Sequence, residues 1–239
     1  MVNYPWIIAD PAPSKLAESF PEMHPVILQL LHNRSITSQN EVDVFFGPDW
    51  DRDTHPPSAF TKMPQAVKRT FEALEKGESI VIHGDYDADG VCGTSVLFVT
   101  LRDICRQMGF DCSKITTYIR HREREGYGGS TGTVKRLIKD REMKLLITVD
   151  CGISNFDAVA KANELGVEVI ITDHHEVPEN APEAILIHPQ AKDETYPYKQ
   201  LCGAGVAFKF AHGLLDEARK QGAAFHEGLE KWLLDFVAV

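Results

Sequence analysis

The chain has 239 residues, 43% of them hydrophobic and 25% charged, with a formal net charge of −10. That composition excludes intrinsic disorder and suits one large domain or two small ones. The acidic balance argues against a protein that holds nucleic acid on a basic surface, though not against an enzyme that grips phosphates through bound cations.

Residues 1 to about 24 carry three prolines by position 13 and no periodic pattern, and read as a tail or packed arm. Helical patterns follow over 24–33 and 38–46, the second opening on Ser38 with Glu41 at capping-box spacing. An Asp- and Pro-rich loop, 47–58, precedes a helix over 63–76 with Val67, Thr70, Phe71 and Leu74 on one face. From residue 79 the pattern changes. Short β-branched runs at 79–82, 115–119, 144–149, 167–172 and 184–187 alternate with helices at about 91–108, 131–141 and 154–165. Near-continuous apolar strands separated by helices predict an α/β fold: a mostly parallel five-stranded sheet with helices on both faces. Two more helices are expected, over 204–220 and from 225 to the end. The expected division is an N-terminal arm with helices packed on the core (1–60) and a larger α/β domain (61–239). Because WLLDFVAV runs apolar to the last residue, the chain reads as a fragment of a longer protein.

No apolar run reaches the roughly 18–20 residues of a membrane-spanning helix, and no signal pattern opens the chain. The five cysteines (Cys92, Cys105, Cys112, Cys151, Cys202) are odd in number and lack CxxC spacing. A disulfide framework or zinc ribbon is therefore not expected, and a cytoplasmic location is. Cys92 and Cys151 read as small core residues.

Three polar clusters each directly follow a predicted strand: His83-Gly84-Asp85-Tyr86-Asp87-Ala88-Asp89-Gly90, Asp150-Cys151-Gly152, and Asp173-His174-His175-Glu176. In a parallel sheet the strand C-termini share one edge, where open α/β folds bind ligands. Histidine with several aspartates and no thiolate suits Mn²⁺ or Mg²⁺, and Zn²⁺ or Co²⁺ less well. So many carboxylates in one crevice need cations, and a cation pair can activate water and clamp a phosphoryl oxygen. Each cluster has an ordinary explanation taken alone. Asp150 could cap a helix, the paired histidines could be structural, and the Asp-rich turn resembles an EF-hand opening. The EF-hand fails because Val96 or Phe98 stands where its twelfth-position Glu belongs. Three such clusters in one register are what point to a site.

Gly126 to Gly132 fits neither a dinucleotide fingerprint nor a phosphate-binding loop, and is an anion-binding turn or a plain one. Arg120, Arg122 and Arg124 form a positive cluster in an acidic chain, either a solvated loop or a phosphate contact. Gly203 and Gly205 open the 204–220 helix and allow close backbone approach to a ligand, or a tight turn.

Together HGDYDADG, TVDCGIS and ITDHHEVP resemble the DHH phosphoesterase superfamily. With LCGAGVAFKF, the EGYG loop and LDFVAV, the resemblance narrows to its RecJ-type single-strand-specific exonucleases, from about His24 to Val239. The resemblance implies metal ligation by His83, Asp87 and Asp150 at one ion and by Asp89, Asp150, His174 and Asp235 at the other. It also implies that His175 faces the scissile phosphate, that Asp173 orients the histidine pair, and that Asp85 supports the site or faces substrate. Arg122, Tyr127, Gly203 and Gly205 become candidate substrate contacts. Two divalent ions, Mn²⁺ preferred and Mg²⁺ possible, 5′→3′ hydrolysis of single-stranded DNA in repair and recombination, and a single-strand-binding protein and a helicase as partners are implied likewise. Relatives carry a second, substrate-binding domain that this chain lacks. A small-molecule phosphohydrolase of the same superfamily is the alternative, favoured by the acidic charge.

Overall fold

The structure is a computed structural model and describes residues 5–120 and 130–239. It divides into two compact units, Met1–Thr54 and His55–Val239. In the first, four helices follow one another: α1 (Ser14–Ser19), α2 (Pro25–His32), α3 (Gln39–Phe46) and α4 (Trp50–Asp53). Ser38 caps α3 in the expected capping box with Glu41. Leu16, Phe20, Leu28, Leu31 and Val42 form this unit's core, so part of the expected tail is a helix. Gln29 ties the preceding arm to α2, its side chain bonding both Ala12 N and Asp10 O.

The second unit runs α5 (Met63–Glu75), β1 (Ser79–Gly84), α6 (Ala88–Met108), β2 (Ile115–Ile119), α7 (Thr131–Arg141), β3 (Met143–Val149), α8 (Phe156–Glu164), β4 (Glu168–Thr172), β5 (Ile185–Ile187), α9 (Gly203–Lys220) and α10 (Leu229–Val237). All five strands are parallel, in the order β2-β1-β3-β4-β5. The strands alternate burial between two faces. Val81, Leu146, Val169 and Ile171 pack with α7 and α8, while Ile80, Ile82, Leu145, Ile147 and Ile170, also fully buried, point the other way. Helices α5, α6 and α9 cover that second face. With both faces covered, the central strands β1, β3 and β4 have almost no polar side, which is why they read as apolar runs.

This strand order has a consequence for function. After β1 the chain crosses outward to β2, then back over β1 to β3, so the connections leaving β1 and β3 diverge. The crevice at a sheet's C-terminal edge opens at such a reversal. Here it lies between the residues after Gly84 and those after Val149, and Asp85 N donates to Val149 O across it (3.2 Å).

Candidate metal centre

Three loops at this edge bring the site together. On the β1 loop, Asp87 is the N-cap of α6, its Oδ1 accepting from Gly90 N at 3.0 Å. The helix therefore starts at Ala88, ahead of the expected 91, and Asp89 lies in its first turn. Gly90 is required there because a Cβ would stand 2.6 Å from the Asp85 backbone. Asp85 itself is buried and paired with buried Arg120, with Arg120 Nε at 2.9 Å and Nη2 at 2.7 Å from its Oδ1. Arg120, expected in a solvated cluster or on phosphate, thus neutralises a carboxylate and lies over the Tyr86 ring.

Asp150 follows β3 with φ 57°, in the left-handed region that non-glycine residues seldom occupy. Its own N–H donates to Thr172 O, tying the strained turn to β4. It is not the cap of α8, which begins six residues on. The carboxylate is buried, and Oδ1 lies 3.1 Å from His174 Nε2 without an aligned hydrogen-bond donor. Burial, and then Asp89 and Asp87, push its pKa up to about 6, against the pull of His174. His174 is shifted upward by its contact with Asp150.

The third loop, after β4, is built around Asp173, which is fully buried. Its Oδ1 accepts from His174 N (2.7 Å) and His175 N (3.2 Å), and His175 Nδ1 lies at 2.8 Å; its Oδ2 accepts from Ile153 N (3.0 Å). One carboxylate therefore sets the turn and aims the His175 ring, which is 46% exposed. A residue not foreseen also takes part. Fully buried His188 lies with Nε2 2.9 Å from His175 O, and its Nδ1 accepts from Gln190 N at 3.1 Å. The only signal for it in the sequence is a His-Pro pair directly after a short apolar run.

The opening of α9 closes the site. Gly203 N and Ala204 N donate to the two oxygens of Asp89 at 2.7 and 2.5 Å, placing a carboxylate at a helix N-terminus. A Cβ on Gly203 would stand 2.5 Å from Asp150 Oδ1, so only glycine allows α9 this close. Gly205 N is engaged by the Cys202 sulfur.

Among the described residues, two groups have ligand atoms within 4.8 Å of one another: Asp150 with His174 and His175, and Asp85 with Asp87 and Asp150. Asp150 belongs to both. Asp89 Oδ2 joins the first from 3.5 Å, at His174 Nε2. His83 and Asp235 are in neither group. His83 faces the α7–α8 side of β1 beside Tyr118, and Asp235 is exposed on α10. Arg122 and Tyr127 lie outside the described residues. The donors fit a hard divalent cation: crowded carboxylates with imidazole, and a buried carboxylate oxygen that no aligned donor serves. Burial pushes the Cys151 thiol up, and its Sγ lies 3.7 Å from His83 O.

Residues 79–239 match the model of the "DHH family, N-terminal domain". The chain is 39% identical over 215 residues to the single-stranded-DNA-specific exonuclease RecJ of Bacillus subtilis, an alignment covering 89% of this chain and 26% of that protein. Among solved structures, a RecJ from Thermus thermophilus in complex with Mn²⁺ matches with a TM-score of 0.65 and 27% identity, over 94% of this chain and 29% of that one. An exonuclease RecJ bound to manganese matches with a TM-score of 0.59 and 34% identity, over 69% and 39% of the two chains. The chain thus spans about a quarter of the length of the Bacillus relative.

Proposed function

The chain belongs to the DHH family, and from that premise we propose that it is the catalytic domain of a 5′→3′ exonuclease for single-stranded DNA, using two divalent cations with Mn²⁺ preferred over Mg²⁺. The observation that carries the reading is the meeting of Asp87, Asp89, Asp150 and His174 at the sheet's reversal point, with Asp150 common to two ligand groups.

In this reading Asp87 and Asp150 hold one ion, and Asp89, Asp150 and His174 hold the other. The family likeness adds His83 to the residues that would hold the first ion and Asp235 to those that would hold the second. When bound, such ions neutralise charge on the phosphate and make water acidic enough to attack phosphorus at neutral pH. The chain's own residues do the rest. Asp150 would have to be ionised and His174 neutral for their lone pairs to serve as ligands. Asp173 accepts a hydrogen bond from Nδ1–H of His175 and leaves Nε2 as the atom that can face a phosphate oxygen. The α9 amides hold Asp89 in place, and Arg120 balances Asp85. The partners proposed by the same likeness are single-stranded DNA, a single-strand-binding protein and a helicase, in the cytoplasm. Among the described residues no helix is long and apolar enough to cross a membrane.

The test is product analysis in Mn²⁺ with 5′-labelled single-stranded DNA, the same strand as duplex, a short oligoribonucleotide and pyrophosphate, with Asp150→Ala as control. Stepwise release of mononucleotides from the single strand, absent in the variant, is the expected result. Turnover confined to the oligoribonucleotide or pyrophosphate would replace this reading with the small-molecule phosphohydrolase, which the net charge of −10 favours.

A further inference from the structure

His188 has no place in the ligand set, yet it is fully buried and both of its ring nitrogens are used. Their roles follow from the partners. Gln190 N is a backbone donor, so the Nδ1 that it approaches at 3.1 Å must be the acceptor and carry no proton. The ring proton is therefore on Nε2, which donates to His175 O at 2.9 Å. A charged ring would set an N–H against the Gln190 N–H, and the burial that opposes charging agrees with this. His175 is thus held at three points: its amide and ring by Asp173, and its carbonyl by His188.

We propose that His188 is a positioning residue for catalysis: its neutral imidazole fixes the His175 peptide through Nε2–H and so sets where the His175 ring points. The proposal rests on the phosphodiesterase reading for its kinetic arm only. A carbonyl can be fixed this way by any rigid donor, but the donor must be neutral and its other edge must satisfy Gln190. A histidine locked in one tautomer meets both needs.

Two substitutions separate positioning from plain support of the 188–190 loop. His188→Gln places an amide nitrogen near the position of Nε2, keeping the donor to His175 and losing the acceptor for Gln190. His188→Asn does the reverse, because its amide reaches only as far as Nδ1. If His188 positions His175, His188→Asn lowers kcat about ten- to hundred-fold with KM and Mn²⁺ affinity unchanged, while His188→Gln stays within about threefold of the parent. In a His175→Ala background His188→Asn should cost nothing further. Equal losses in both variants, a loss carried by KM, or full activity in His188→Asn overturns the proposal. Nitrogen-15 NMR of histidine-labelled, metal-free protein needs no activity and no variant. It should show His188 neutral and protonated at Nε2 from pH 6 to 8, and a ring protonated at Nδ1, or at both nitrogens, overturns the proposal. If the parent hydrolyses none of the offered substrates, the phosphodiesterase reading falls, and the NMR result decides the His188 geometry by itself.

Discussion

Replacing Asp150 by Asn should make the metal-free protein more stable while destroying its cation site. In the folded chain the Asp150 pKa rises from 3.8 to about 6, chiefly through burial. A folded pKa above the unfolded value means that this group's favourable contribution is complete below pH 3.8 and is lost as pH climbs through about 6. Above that window the native state holds a buried anion that the unfolded chain would solvate. At about 1.4 kcal/mol per pH unit the span corresponds to roughly 2–3 kcal/mol, and the side chain is only 3% exposed, so solvent screening removes little of it. Asparagine has the same shape and tolerates the positive φ of this position, so the substitution isolates the charge. For a chain of this size the gain is a rise in Tm of about 4–12 °C at pH 7.5. The assay is thermal unfolding of both proteins in chelator at pH 5 and pH 7.5, then with Mn²⁺. The advantage of Asp150→Asn should shrink towards pH 5, and added Mn²⁺ should stabilise only the parent. An Asp150→Asn protein that is no more stable than the parent at pH 7.5 in chelator would refute the reasoning.

Three further outcomes follow from the same geometry. Gly203→Ala drives a methyl to 2.5 Å from Asp150 Oδ1 and pulls the α9 amides from Asp89; it should cost about 1–3 kcal/mol in urea denaturation and weaken Mn²⁺ binding by tenfold or more, and unchanged calorimetric Mn²⁺ affinity would count against the clamp. Arg120→Ala leaves Asp85 buried without its guanidinium and should destabilise by about 3–5 kcal/mol, with Asp85→Ala added to it recovering part of the loss; a cost under about 1 kcal/mol means that the pair is not isolated from water. Mn²⁺ affinity measured calorimetrically should fall as pH drops through about 6, because Asp150 must lose its proton to bind, and a pH-independent affinity would remove Asp150 from the ligand set.

The parallel strands and the site's motifs were legible in the sequence because their causes are local. A strand buried on both faces must be apolar throughout, and a ligand loop must follow it directly. What was not legible depends on partners far along the chain. Nothing near Arg120 announces that it pairs with Asp85 rather than with solvent or phosphate, and nothing near Gly203 announces that its N–H serves Asp89. The start of α6 is hidden in the sequence because Asp87 and Asp89 look like loop residues, although an aspartate cap and an acidic first turn are ordinary helix openings. The short helix α1 leaves no sequence signal because it shows no periodic face and buries only Leu16. His188 is silent in the sequence because a lone histidine beside a proline has meaning only once β5 sets it against the His175 carbonyl.

The clamp on Asp89 also has a consequence in time. The carboxylate near the start of the domain is held by amides 114 and 115 residues downstream. A ribosome must therefore add the whole sheet, and the opening turn of α9 must leave the exit tunnel, before the first motif is fixed in its working shape. A nascent chain that already displays both the aspartate-rich and the histidine-rich motifs still lacks the two amides that hold Asp89, so the cation site is completed only when most of the domain has been made.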